Sequence, residues 1–210
     1  MHQPTFRFPS RLYPIIDTLG DAHRSHVEIA AAMVRGGARL LQLRVKDQTT
    51  AEFVETARAV KRITDAAGAA LIVNDRPDIA RLIDAAGVHL GQEDLPPREA
   101  RIVVGQDKVI GLSTHCLEQI EAATASMEVD YIGVGPIFAT ASKAKLDPLQ
   151  GLEGVRAARR YSLLPIVAIG GITEYAMPDI LTAGADAVAM ISDLVRAPDI
   201  EAKVRRLIAG

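Results

Sequence analysis

Short runs of four to six apolar, largely β-branched residues recur along the chain, separated by longer Ala-rich segments with helical spacing. The runs are Leu12–Ile16, Leu40–Leu43, Ala70–Val73, Gly87–Leu90, Val109–Leu112, Tyr131–Val134, Pro165–Ile169 and Ala187–Met190. Runs this uniformly apolar need cover on both faces, as strands of a parallel α/β sheet do. The helical segments are Ser25–Arg35, Ala51–Ala67, Ile79–Ala86, Leu117–Met127, Glu153–Tyr161, Tyr175–Ala183 and Ile200–Ile208. Several end at a glycine that leads directly into a strand (Gly36-Gly37, Gly68, Gly87 and Gly184), the expected helix C-cap. Eight such β/α units in 210 residues predict a compact TIM (β/α)8 barrel. A doubly wound sheet of five or six strands would accommodate fewer of them. The expectation is one domain over 1–210, with residues 1–10 as an N-terminal extension. Pro14 is unusual in a central strand and fits only near its start.

Composition narrows the function classes. Hydrophobic residues make up 49% and charged residues 24%, ordinary values for a globular chain, which excludes intrinsic disorder. A net charge of −2 and the absence of Trp give no support for nucleic-acid binding. A single cysteine, Cys116, excludes an internal disulfide framework and fits a reducing cytoplasm. No run approaches a membrane span, and Met1–Ser10 lacks the apolar core of a secretory signal.

In a TIM barrel, polar groups at the C-terminal ends of the strands carry function. The second predicted strand continues as Gln42-Leu43-Arg44-Val45-Lys46. Period two sends Gln42, Arg44 and Lys46 to one side, an arrangement suited to an anion such as diphosphate. Ordinary ion pairs at a solvated strand end are the alternative. The third and fourth strands end in Asn74-Asp75 and Gly91-Gln92-Glu93-Asp94. Asp75 and Asp94 on adjacent strand ends offer hard oxygen ligands of the kind Mg²⁺ takes, although Asp75 before Pro77 is also placed to cap a helix. Ser113 and His115 end the fifth strand, and His89 lies inside the fourth, where it packs or hydrogen-bonds. The seventh and eighth strands lead into Gly170-Gly171 and Ile191-Ser192, loops that in TIM barrels often bind phosphate. From Gly135 to Gly151 no regular pattern appears, as expected of a long loop at the mouth. Two anion sites facing one mouth imply two phosphorylated ligands or one bisphosphate.

Six phrases, in order, resemble the thiamine-phosphate synthase family from about Leu12 to Leu207. They are residues 41–47 (LQLRVKD), 72–76 (IVNDR), 87–94 (GVHLGQED), 111–115 (GLSTH), 130–138 (DYIGVGPIF) and 168–172 (AIGGI). The resemblance implies a TIM-barrel transferase that couples hydroxymethylpyrimidine diphosphate to hydroxyethylthiazole phosphate, releasing diphosphate. By the same resemblance Gln42, Leu43, Arg44, Val45, Lys46, Asn74, Ser113 and Lys143 hold the pyrimidine diphosphate. Asp75 and Asp94 hold Mg²⁺. Thr140, Ala141, Ser142, Gly171, Ile191 and Ser192 hold the thiazole phosphate. Arg44, Lys46, Ser113 and Lys143 act in catalysis. The family's partners are small molecules, and its members are commonly homo-oligomers, though no interface is legible here.

The implied chemistry is dissociative. It needs leaving-group charge stabilised in a site that excludes water, and it needs no protein nucleophile. The loop departs from the family's Pro-Thr-x-Thr-Lys, reading Ala139-Thr140-Ala141-Ser142-Lys143. Ser142 keeps the hydroxyl, and Ala139 removes a fixed φ, which predicts retained chemistry on a more mobile loop. Three rivals share the fold: a thiazole tautomerase-like isomerase, a non-catalytic ligand-binding barrel and a Schiff-base aldolase. Asp94 and Lys143 favour the synthase over the isomerase. An aldolase wants a lysine near the end of a strand, and Tyr131–Gly135 carries none.

Overall fold

The computed structural model describes residues 6–19, 23–139 and 148–210. Its strands close into one parallel barrel in sequence order, β1-β2-β3-β4-β5-β6-β7-β8, with β8 paired to β1. They are β1 (Leu12–Ile16), β2 (Leu40–Leu43), β3 (Ala70–Asn74), β4 (Gly87–Leu90), β5 (Val109–Thr114), β6 (Tyr131–Val134), β7 (Ile166–Ala168) and β8 (Ala187–Met190). The helices that follow them are α1 (His26–Arg35), α2 (Thr50–Ala66), α3 (Pro77–Leu82), α4 (Pro97–Val104), α5 (Leu117–Ala125), α6 (Gly151–Tyr161), α7 (Met177–Thr182), α8 (Ser192–Val195) and α9 (Ile200–Ala209). The expected TIM barrel is therefore the observed one.

The sequence explains where several elements start and stop. Ser25 and Thr49 begin α1 and α2 with reciprocal capping boxes to Glu28 and Glu52. α3 begins two residues earlier than the apolar spacing predicts, because Pro77 occupies its first turn, where no N–H is needed. It stops at Leu82, before Asp84 turns left-handed at φ 52°. α4 and the four-residue α8 were not among the predicted helices. Pro14 sits at the third position of β1, not at its start. It lies where the pairing passes from β8 (Leu12–Pro14) to β2 (Ile15–Ile16).

Period two divides the core into two layers. Leu41, Leu43, Leu71, Val73, Val88, Leu90, Ile132 and Val134 face the helices, in the larger cluster. Tyr13, Ile15, Leu40, Ile72, Tyr131, Val167, Ala187 and Ala189 fill the barrel. Phe6 and Phe8, in the segment expected as an extension, pack onto Tyr131 with ring centroids 5.2 Å away and cover the base of the barrel. Tyr131 fits because β5 carries Gly111 opposite it; a Cβ there would collide with the phenol ring. Among the described residues no helix is long and apolar enough to cross a membrane.

The N-terminal end of the barrel is fastened by two similar devices. Asp130 accepts from the backbone N–H of Ile110 (2.7 Å) and from Arg101 (2.8 Å). Asp186 accepts from Ile166 N–H (2.7 Å) and Arg159 (2.5 Å). Arg101 is 5% exposed and also donates to the carbonyls of Lys108 and Glu128. Removing one partner of such a buried pair strands the others. Arg101→Ala is expected to cost about 3 kcal/mol in urea unfolding while leaving ligand binding at the opposite end unchanged.

Candidate functional site

A cavity opens at the C-terminal end of the barrel, and the alternation of β2 builds one wall of it. Gln42, Arg44 and Lys46 line it. Leu43 faces outward into the layer under the helices and Val45 packs against that layer, so neither side chain lines the cavity. Arg44 is braced by an ion pair with Asp17 at the end of β1; Asp17 is 6% exposed and also accepts from Leu19 N–H at 2.8 Å. The Arg44 carbonyl accepts from His26 Nε2 at 3.2 Å.

The opposing wall comes from β3, β4 and β5. Asn74, Asp75, His89, Gly91, Ser113 and His115 line it. Asp75 adopts φ 62°, a left-handed conformation uncommon for a residue with a side chain, and its N–H is held by the His89 carbonyl at 2.8 Å. It does not cap α3, whose N-cap residue is Arg76. Its carboxylate instead meets Lys46 Nζ at 2.5 Å and lies beside that of Asp94. Asp94 Oδ2 accepts from Gly91 N–H at 2.6 Å. Burial pushes the Asp94 carboxyl above its usual range; the Asp75 carboxylate adds to that shift, and the Gly91 N–H and Lys46 oppose it. Two neighbouring carboxylates that repel a second negative charge are an all-oxygen pair that suits a hard divalent cation, with phosphate oxygens and water as the remaining ligands. Among the described residues no group of three or more His, Cys, Asp or Glu side chains is placed to hold a metal.

The third wall is backbone. Gly170 (φ 101°) and Gly171 (φ 64°) turn the chain after β7. Ile137 and Phe138 N–H groups donate to the Ile169 and Gly170 carbonyls, each at 2.9 Å, so the chain leaving β6 runs along this turn. A Cβ on Gly171 would meet the Ala139 carbonyl oxygen, and Phe138 at 2.9 Å. Ile191 and Ser192, at the start of α8, complete the rim. The β7 and β8 loops are tied together by Asp193, which accepts from Glu174 N–H (3.0 Å) and pairs with Lys203 (2.9 Å). Thr140, Ala141, Ser142 and Lys143 lie outside the described residues.

Below the cavity a polar column joins Gln42, Ser113 and His89, which the sequence singles out, to Tyr13 and Tyr131, which it does not. Ser113 Oγ meets His89 Nε2 at 2.9 Å, and His89 Nδ1 meets the Tyr131 hydroxyl at 2.9 Å. The Tyr131 and Tyr13 hydroxyls are 3.2 Å apart, and Gln42 Nε2 donates to Tyr13 at 3.3 Å. Burial pushes the His89 pKa down to about 4, so its ring is neutral at pH 7, and pushes both phenols well up. His115 also lines the cavity, its Nδ1–H donating to the Gly135 carbonyl at 2.6 Å. Cys116 is the residue before α5 and does not line the cavity. Among the described residues the only lysine lining the cavity is Lys46.

Known proteins resemble this chain across nearly all of it. The family model described as "Thiamine monophosphate synthase" matches residues 12–194. A thiamine-phosphate synthase of Chloroflexus aurantiacus is 43% identical over 95% of this chain and 91% of its own. That of Moorella thermoacetica is 44% identical over 93% of each chain. The structure of a thiamine phosphate pyrophosphorylase from Pyrococcus furiosus superposes with a TM-score of 0.84 at 32% identity, covering 97% of both chains. A geranylgeranylglyceryl phosphate synthase of Thermoplasma acidophilum, at 11% identity and a TM-score of 0.66, shares the fold alone.

The contact between Gly171 and the chain leaving β6 can be isolated by comparison with Gly68, which has the same φ of 64° and open space around its Cβ position. Gly68→Ala is expected to cost about 1–2 kcal/mol, from the left-handed backbone alone. Gly171→Ala is expected to cost about 2 kcal/mol more, from the collision with residues 138 and 139. Urea unfolding of the two variants checks the difference.

Proposed function

Because the chain belongs to the thiamine monophosphate synthase family, we propose that it couples 4-amino-2-methyl-5-hydroxymethylpyrimidine diphosphate to 4-methyl-5-(2-hydroxyethyl)thiazole phosphate. The products are thiamine phosphate and diphosphate. The observation that carries this reading is the convergence of Gln42, Arg44 and Lys46 with the carboxylates of Asp75 and Asp94 at one barrel mouth. An anion site beside a divalent-cation site is what a departing diphosphate requires.

In this reading the bond between the pyrimidine's exocyclic carbon and the diphosphate oxygen breaks first, and the electron pair leaves with diphosphate. The electron-rich aminopyrimidine stabilises the carbocation, and the thiazole nitrogen lone pair then forms the new C–N bond. The guanidinium of Arg44 and the ammonium groups of Lys46 and Lys143 take up the charge that develops on the leaving oxygens. Ser113 and Asn74 donate to the same ligand. The Gly171 turn and the Ile191-Ser192 backbone, with Thr140, Ala141 and Ser142, receive the thiazole phosphate. Mg²⁺ held by Asp75 and Asp94 would supply the further positive charge that stabilises the diphosphate as it leaves. No protein nucleophile takes part. A homo-oligomer acting on these small molecules in the cytoplasm completes the reading.

The test is a coupling assay with both substrates, followed as thiamine phosphate and diphosphate with and without a chelator. Mg²⁺-dependent formation of both products is expected. Folded protein that forms neither would contradict the proposal. Asp94→Ala and Lys143→Ala should each lower turnover by about a hundredfold or more while the unfolding transition stays in place. Wild-type turnover in either variant would remove that residue from the site.

A further inference from the structure

The polar column beneath the cavity has a direction, and that direction determines what Ser113 offers a ligand. The Gln42 side-chain amide nitrogen can only donate, and it donates to the Tyr13 oxygen at 3.3 Å. Tyr13 is 1% exposed, so its own proton needs an acceptor, and Tyr131 Oη lies 3.2 Å away. Having accepted from Tyr13, Tyr131 gives its proton to His89 Nδ1 at 2.9 Å. A neutral imidazole with Nδ1 accepting carries its proton on Nε2, which donates to Ser113 Oγ at 2.9 Å. The Ser113 oxygen is then an acceptor toward His89, and its hydroxyl proton is left to point into the cavity that Ser113 lines. In the reverse direction, Ser113 would donate to His89 and the Tyr13 proton would have no acceptor in a buried site, at the desolvation cost of an unmade hydrogen bond.

Packing holds the column in place. His89 stacks on Tyr131 with ring centroids 5.4 Å apart and planes 29° apart. Gly133 lies beside the imidazole, where a Cβ would come within 3.3 Å of Cε1.

We propose that His89 is a positioning residue: held by Tyr131 with its proton on Nε2, it turns the Ser113 hydroxyl into a fixed donor toward the anionic ligand in the cavity. Tyr131 and Tyr13 set the tautomer without touching the ligand. The tautomer stands on the fold alone, and its kinetic consequence rests on the function proposed above.

Two measurements test it. Long-range ¹H–¹⁵N spectra of the ¹⁵N-histidine-labelled protein, with His89 assigned by the signal lost in His89→Gln, should show a protonated Nε2 and a bare Nδ1. A protonated Nδ1 in the wild type would overturn the proposal whatever reaction the protein performs. In the coupling assay, Tyr131→Phe should lower kcat about tenfold with KM for both substrates within about twofold of wild type. In a Ser113→Ala background the same substitution should change kcat no further, because the effect passes through Ser113. Independent, multiplying losses would overturn it. Should Tyr131→Phe fail to fold, the wild-type tautomer decides. Wild-type protein that forms no thiamine phosphate would overturn the proposed function and leave the tautomer to be judged by its spectrum, so the two failures are distinguishable.

Discussion

The Tyr131 ring stands where the apolar floor of the barrel meets its polar interior, and the layers above it depend on that placement. Below it Phe6 and Phe8 close the base. Beside it Tyr13 and His89 carry its hydroxyl into a hydrogen-bonded column. It fits only because Gly111, directly paired with it across β5 and β6, has no side chain. A closed barrel leaves no other arrangement, since every inward residue points at the same axis and must be packed or hydrogen-bonded there. The described residues meet this condition fully, with no buried side-chain nitrogen or oxygen left without a partner.

This constraint produces a gradient along each strand. The inward residues of β2 and its continuation read Leu40, Gln42, Arg44 and Lys46 from base to mouth; those of β3 read Ala70, Ile72 and Asn74; those of β5 read Val109, Gly111 and Ser113. Apolar groups at the base anchor the strands. Neutral polar groups such as Gln42, Asn74 and Ser113 come next, nearer the mouth. Charges appear only at the mouth, where water or an anion can meet them. The cation wall and the carboxylate pair then face each other across one opening, with Lys46 and Asp75 already in contact at 2.5 Å. A ligand that brings phosphate oxygens and a divalent cation together would relieve the strain of this pairing, since Asp94 is half-buried and beside a like charge.

Much of this was legible in the sequence because it is local. Apolar runs and the glycine joints located all eight strands, and alternation alone placed Gln42, Arg44 and Lys46 on one wall. What was not legible depends on closure. Tyr13 and Tyr131 are 118 positions apart, and nothing in either neighbourhood marks them as partners until β1 and β6 face each other across the axis. The role of Asp17 beside Arg44 was hidden for the same reason. α4 was not legible because Arg101, charged in the sequence, lies on its buried face, held by Asp130 and the Lys108 and Glu128 carbonyls. Asp75 looked like a helix cap, and only its left-handed backbone shows the carboxylate turned toward Asp94 instead.

On the proposed function, the carboxylate pair and the cation wall act as a single site for diphosphate with a divalent cation. The most direct test is calorimetric titration of inorganic pyrophosphate into the protein, with and without Mg²⁺, in the wild type and in Asp94→Asn. Tight binding is expected only when Mg²⁺ is present, with loss of that Mg²⁺-dependent gain in Asp94→Asn. Pyrophosphate binding that is equally strong without Mg²⁺, or unchanged in the variant, would contradict it.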